Sequence, residues 1–213
     1  MNIEPIDDAQ GAIYIELCAQ VGHLFLSFAN LEGVLTGALK LHMAESIDVD
    51  EGSPRAIKLA SAVYGSMRFT QSRDTIKRVI STEPPAPEKL AALTDIFAQI
   101  GHVLAFRDML AHQSLQRATQ RIDGTWRLSN LFTTKDVTKP LVYEFQLTAI
   151  NAAASDLVTA TGLLGRQRMT SCLIDGLIGD PSQTAWRYKP SMLKLVPRSK
   201  LNFPQEPKTP PQS

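Results

Sequence analysis

The chain has 213 residues, of which 44% are hydrophobic and 20% are charged, and its formal net charge is +1. This length and composition are typical of one soluble globular domain with enough chain to bury a core. They argue against a strongly basic nucleic-acid platform, and no uninterrupted apolar run approaches the roughly 18–20 residues that cross a bilayer.

The apolar residues of the N-terminal half recur at helical spacing. A first helix is predicted over about 11–43, because one stripe of apolar side chains repeats every three or four positions. A second helical region covers about 55–80, with a break near Gly65, and a proline-rich stretch ends it. The next helix covers about 88–115. The stripe of the first helix consists of Ile13, Leu17, Val21, Leu24, Phe25, Phe28, Leu31, Leu35 and Leu39.

Short extended runs replace the helical pattern in the following region, at about 116–145. Asp123-Gly124 is a tight-turn dipeptide between two such runs, 119–122 and 126–132, which predicts a small β-hairpin. Residues 141–145 are a candidate third strand.

A last long helix is predicted over about 148–167, and residues 173–178 extend or follow it. The complete pattern predicts an all-α fold. We expect a bundle of four or five helices with a small β-hairpin insert before the last helix.

The C-terminal stretch differs from the rest in charge and composition. From Asp180 to Ser213 there are six lysine or arginine residues and two acidic ones, so this stretch carries +4 and the remainder −3. It is rich in proline and has no sustained periodicity. We therefore expect a helical domain over 1–179 and a basic tail over 180–213 that is largely disordered or draped over the body.

Two charged residues interrupt the apolar stripes of their helices. Glu32 lies on the stripe of the first helix and Arg107 on that of the 88–115 helix. An isolated buried charge costs several kcal/mol, so both need a partner or a wet cavity. One interpretation is a structural Glu32–Arg107 ion pair that fixes the register of the two helices.

The other interpretation is an active site. His112 follows Arg107 by five positions, and Asp108 lies four before His112, where its carboxylate can orient the imidazole. A histidine can take the proton of a ribose 2′-hydroxyl, while an arginine stabilises charge on the phosphate. Glu32 would hold the guanidinium from behind, and His102 is a supporting candidate. Positions five apart on a helix diverge by roughly 140°, which favours a symmetric dimer whose two motifs line one cleft.

Such a site needs neither a metal nor a cofactor. The four histidines and two cysteines show no metal-ligand spacing, so no metal and no cofactor are expected. The N-terminus is acidic and lacks a signal-peptide pattern, so a cytoplasmic location without membrane partners is expected.

The stretch from Arg107 to His112 resembles the arginine–polar–spacer–histidine signature of the HEPN superfamily. The layout over about residues 10–170 is similar too. The resemblance implies a helical bundle that dimerises at the motif, with Arg107 and His112 as the catalytic pair. Asp108 takes the polar position, where asparagine is common in the family.

Many members of that superfamily are metal-independent RNases of toxin–antitoxin and antiviral systems. The resemblance therefore implies a bacterial defence or toxin–antitoxin endoribonuclease that acts as a homodimer and leaves 2′,3′-cyclic phosphate ends. RNA, an antitoxin or a neighbouring defence protein would be its partners. The alternative is a non-catalytic HEPN-like binding or scaffold protein. A basic cluster, interpreted either as a solvated face or as a guide for RNA, consists of Arg68, Arg73, Lys77 and Arg78.

Overall fold

A computed structural model of the chain describes residues 8–47, 54–65, 67–82, 86–113, 115, 118–129, 141–165 and 185–197. Within these residues the chain forms five α-helices and four short strands. The helices are α1 (Asp8–Ile47), α2 (Pro54–Tyr64), α3 (Phe69–Thr82), α4 (Pro87–His112) and α5 (Leu147–Gly165). The strands are β1 (Thr119–Gln120), β2 (Trp126–Ser129), β3 (Val142–Phe145) and β4 (Lys194–Leu195).

Helix α1 is the central element and packs against the other four helices. The predicted stripe is the reason, because its residues at spacings of three and four are buried on one face. That face forms one core with the apolar faces of α4 and α5. The buried residues of α1 are Leu17, Val21, Leu24, Phe28, Leu31, Leu35 and Leu39.

The four strands form one antiparallel sheet in the order β1-β2-β3-β4. Gly124 turns the chain between β1 and β2 with φ of +78°, a backbone conformation that glycine adopts without a Cβ clash. Trp126 pairs with Phe145, and both rings face the helices. On β3, hydrogen bonds from Arg127 and Arg121 lower the pKa of Glu144.

These elements confirm the mostly helical class and the antiparallel strand set. The helical region at 55–80 is two helices, because α2 ends in a turn at Gly65 and α3 starts at Phe69. The sheet gains a fourth strand that the sequence does not indicate. The predicted segment 173–178 and the end of the 126–132 run lie outside the described residues.

Residues 185–197 of the tail lie on the body of the protein. Strand β4 pairs with β3, and the N–H of Val196 donates to the carbonyl of Val142 at 2.8 Å. Tyr188 is 3% exposed and belongs to the hydrophobic core. An aromatic side chain of this part of the tail therefore belongs to the same hydrophobic core as the helices.

Three of the described helical segments are long and apolar enough to cross a membrane, judged by length and composition alone: Gly11–Met43, Pro87–His112 and Leu147–Leu164. The expectation from uninterrupted apolar runs misses them because their few polar residues are spread along the helix. A helix needs to be apolar on average, over about 20 residues, to meet this criterion.

Candidate functional site

Arg107 lies near the C-terminal end of α4 and contacts α1 through two aromatic rings. Its guanidinium carbon Cζ is 4.8 Å from the ring centroid of Phe25 and 5.1 Å from that of Phe28. Each contact is a cation–π interaction, a type that contributes about 0.5–2 kcal/mol. The Arg107 side chain is still 30% exposed. The two rings therefore hold a charged group where solvent and solutes reach it.

The polar partner of Arg107 is the neighbouring carboxylate. Nη1 of Arg107 donates to Oδ1 of Asp108 at 2.8 Å. The buried Nε has no hydrogen-bond partner within the described residues. A guanidinium carries five N–H donors, so most of this capacity is not used by the described part of the chain. The exposed side of the group is suited to an anion such as phosphate.

Glu32 does not pair with Arg107, so the predicted structural ion pair is wrong. Its Oε1 instead accepts a hydrogen bond from the backbone N–H of Phe69, the first residue of α3, at 2.6 Å. The ring of Phe28 contacts the ring of Phe69, with centroids 5.0 Å apart, and the guanidinium of Arg107. The carboxylate satisfies an N–H group that has no partner within its own helix, at the end where the helix dipole favours negative charge.

His112 is exposed in the last turn of α4, where the helix dipole favours a positive charge. Asp108 bonds Arg107, and no hydrogen bond joins it to His112 in the described residues. The orienting role of Asp108 stays a prediction. His102 is exposed one and a half turns before Arg107 and makes no described contact with it. Helical spacing separates each histidine from Arg107 by roughly 140° around α4.

The predicted basic cluster lies on α3 and directly before it. Arg68, Lys77 and Arg78 are exposed, while Arg73 is half-buried and pairs with Asp74 at 3.0 Å. Three of the four positive charges thus face solvent without an ion-pair partner among the described residues. Arg68 immediately precedes α3, whose first ring contacts the aromatic seat of Arg107.

A buried carboxylate that the sequence analysis missed holds the C-terminal segment on the body. Asp156 on α5 is 3% exposed and accepts hydrogen bonds from the backbone N–H groups of Arg187 and Tyr188. The side-chain amide of Gln99 donates to the same carboxylate at 2.7 Å and to the carbonyl of Tyr188 at 2.9 Å. Asp156 shares the apolar face of α5 with Ala149 and Leu163. A charge on an apolar stripe was the available signal, as at Glu32 and Arg107.

Aromatic side chains complete this attachment. The indole N–H of Trp186 donates to Oδ2 of Asp95 at 2.6 Å. The ring of Tyr188 stacks on Phe106 with centroids 5.2 Å apart and an interplanar angle of 13°. Burial raises the pKa of Tyr188 to about 12. The segment is thus attached by a buried carboxylate and a buried ring together.

The shifted pKa of Tyr188 predicts a loss of stability at high pH. The folded protein holds the phenol protonated to about pH 12, whereas an unfolded chain releases the proton near pH 10. Stability is therefore complete below about pH 10 and falls as pH rises toward 12. Urea unfolding across this range measures the fall, and Tyr188→Phe removes it while leaving other tyrosines and lysines unchanged. Equal pH dependence in both proteins would contradict the prediction.

A cleft of about 370 Å³ lies between the sheet and the start of α5. Its charged lining residues are Arg121, Asp123, Glu144 and Lys194, so positive and negative groups are balanced. Glu144 is already bound by Arg121 and Arg127. In the described ranges no group of three or more histidine, cysteine, aspartate or glutamate residues is arranged to hold a metal ion.

The fold and the site define a mostly helical protein that presents an arginine and a histidine near the end of its fourth helix. Comparison of the chain with models of protein families, with curated proteins and with solved structures found no match in any of the three. The function is therefore argued from the site itself.

Proposed function

We propose that this chain is a metal-independent endoribonuclease of the HEPN-like type, acting in a bacterial defence or toxin–antitoxin system. The observation that carries the proposal is the partly exposed guanidinium of Arg107 on its two-ring seat, five residues before the exposed His112. The proposed enzyme acts on RNA in the cytoplasm as a homodimer, with an antitoxin or neighbouring defence protein as its regulator.

In the proposed reaction His112 takes the proton of a ribose 2′-hydroxyl. The 2′-oxygen then attacks the adjacent phosphorus, and the bond from phosphorus to the 5′-oxygen breaks. The leaving 5′-oxygen takes a proton from an imidazolium. The products are a 2′,3′-cyclic phosphate and a 5′-hydroxyl. Arg107 donates N–H groups to the phosphate oxygens as negative charge grows on them.

The divergence of Arg107 and His112 around α4 makes a second copy part of the proposal. Two motifs that face each other across a two-fold axis supply one cleft with two arginines and two histidines. Arg68 supports an approach path for RNA, because it lies beside the Phe28–Phe69 contact next to Arg107. Lys77 and Arg78 extend the positive surface along α3.

A second candidate function is RNA or partner binding without cleavage. The observation in its favour is the Asp108–Arg107 ion pair at 2.8 Å, which offsets the charge that a phosphate would meet. In that case the HEPN-like domain is a scaffold whose Arg107 site holds an acidic group. The scaffold does not use a Glu32–Arg107 pair, because Glu32 bonds the start of α3.

Induced expression in a bacterial host separates the two functions. Wild type is expected to arrest growth and to produce new 2′,3′-cyclic phosphate ends in total RNA. His112→Ala is expected to lower the yield of these ends by about 100-fold or more, because general acid–base catalysis contributes about that much. Thr94→Ala, an exposed change on the same helix, is the matched control and keeps full activity.

The binding function predicts a different pattern. Wild type and His112→Ala would both retain RNA in a gel-shift assay, and neither would produce cyclic phosphate ends. Arg107→Ala would then abolish retention. Soluble wild type that neither cleaves nor retains RNA would overturn the endoribonuclease and the RNA-binding function.

A further inference from the structure

Helix α1 has a second apolar face that nothing in the described chain covers. Seven positions at alternating spacings of three and four are all exposed. Ile15 is 68% exposed and Leu26 is 67% exposed, which is unusual for two large apolar residues on one helix face. We call this face the α1 seam; it consists of Ala12, Ile15, Ala19, Gly22, Leu26, Ala29 and Gly33.

The seam lies roughly opposite the face of α1 that enters the core. At 100° per residue its seven positions centre about 165° away from the buried stripe. It extends for about 32 Å at 1.5 Å per residue. This alternation of three and four is the pattern by which helices pair with one another.

Two glycines within the seam have no close neighbour among the residues that the structure describes. A Cβ added at Gly22 or Gly33 would meet no described atom within 4 Å. Glycine inside a helix costs about 1 kcal/mol relative to alanine, and no close approach within the described chain compensates for it. A partner helix packed closely on this face would supply the compensation, because small residues allow two backbones to approach.

We propose that the α1 seam is where a second copy of this chain docks, with the two α1 helices antiparallel. In the proposed register Ala19 of one copy lies opposite Gly22 of the second copy. A two-fold axis passes through the centre of the seam, and the same residue pairs repeat on either side of it. Ile15 then packs against Leu26 of the second copy, and Ala12 against its Ala29. Large residues meet large ones, and the small pair lies at the centre, where the helices come closest.

Charge on the flank of the seam fits the same register. Glu16 and His23 follow seam residues on one side, and both are exposed. In the antiparallel arrangement Glu16 of one copy lies opposite His23 of the other, twice per dimer. The carboxylate accepts a hydrogen bond from the imidazole. A parallel arrangement would place the equivalent flanks on opposite sides of the interface, so Glu16 and His23 of the two copies would not meet. The charged residues beside the α1 seam thus favour a second copy of the chain, paired in the antiparallel direction.

The proposed function requires a second copy of the chain at the Arg107 site, and pairing through the α1 seam supplies it. In this respect the inference rests on the proposed function. Phe25, which seats Arg107, lies on the flank of the seam opposite to His23. Antiparallel helices place equivalent flanks on the same side, so both Arg107 seats border one face of the dimer. The pairing itself is measurable without RNA, so the two proposals can fail separately.

Sedimentation equilibrium of the purified full chain tests the pairing. Wild type is expected to dimerise, and Leu26→Glu is expected to weaken the dimer by at least tenfold with an unchanged circular dichroism spectrum. Val158→Glu, at an apolar residue of α5 that is 55% exposed, is the matched control and keeps the dimer. A monomeric wild type at about 100 µM, or an undiminished Leu26→Glu dimer, would overturn the proposal.

The Gly22→Leu variant distinguishes a closely packed dimer from non-specific apolar binding at the α1 seam. It adds apolar area and raises helix propensity, so a membrane or a non-specific partner would bind it more tightly. A closely packed antiparallel dimer instead loses at least tenfold in affinity, because leucine separates the central layer. Monomeric wild type that co-sediments with phosphatidylcholine vesicles, more so after Gly22→Leu, would overturn the proposal in favour of a lipid surface.

Cysteine pairs test the register in a background that carries both Cys18→Ser and Cys172→Ser. Ile15→Cys and Leu26→Cys proteins are prepared separately and then mixed under mild oxidation. The proposed register bridges only the mixture, because identical cysteines lie about 16 Å apart along the dimer axis. Cross-linking of Ile15→Cys alone would indicate parallel helices and would overturn the antiparallel pairing.

Discussion

Replacing Asp156 with alanine is expected to lower the free energy of unfolding by about 3 kcal/mol. The change removes the acceptor for two backbone N–H groups and for the amide of Gln99. A buried donor left without a partner costs about 1–3 kcal/mol. Because water reaches the exposed Arg187 end, the loss is smaller than the sum of three unsatisfied donors. Urea unfolding followed by circular dichroism measures the change.

A second readout locates the effect of Asp156→Ala. Hydrogen exchange should rise in residues 185–197 before it rises in α1, because these residues lose their anchor first. Asp95→Ala is the control, since it removes only the exposed hydrogen bond to Trp186 and should cost less than about 1 kcal/mol. Equal losses in the two variants would show that Asp156 does not anchor the segment.

Phe106→Ala is expected to cost about 3–5 kcal/mol, the usual range for removing a buried aromatic side chain. Phe106 is fully buried and its ring contacts Phe145 edge-on and Tyr188 face-on. It therefore joins α4, the sheet and the C-terminal segment at one place. Thermal and denaturant unfolding of the variant measure the loss.

A double-mutant cycle with Tyr188→Ala measures the ring stack separately from the rest of the cavity. The coupling energy between Phe106 and Tyr188 is expected to be about 0.5–1.5 kcal/mol. Additive losses would show that the C-terminal segment is not attached through this stack. Phe106→Leu, which keeps most of the volume, should cost much less than the alanine variant.

Helical periodicity was sufficient to predict the helices, because each of the long ones buries a stripe of its own sequence. The β1–β2 turn followed from Asp123-Gly124, since a positive φ at Gly124 is what a tight hairpin turn requires. Strand β4 could not be predicted in this way. It has two exposed residues and owes its conformation to pairing with β3, far away in the chain.

The charged residues on apolar stripes were correctly singled out as needing partners, but the choice of partner was wrong for Glu32. Two charges of opposite sign on neighbouring helices suggested an ion pair. In the structure Glu32 instead accepts a hydrogen bond from the backbone N–H at the start of α3, and Arg107 packs against two aromatic rings. Neither a backbone N–H at a helix end nor a ring face is visible as a partner in the sequence.

The attachment of the C-terminal segment also has a consequence for the order of folding. The bonds from Gln99 to Tyr188 and from Trp186 to Asp95 join residues 89 and 91 positions apart. The entropic cost of closing such loops grows only as the logarithm of their length, so it does not prevent these contacts. Contacts between residues far apart in the chain nevertheless form slowly. During synthesis from the N-terminus, one face of the Phe106 ring therefore lacks its partner until residue 188 has been made.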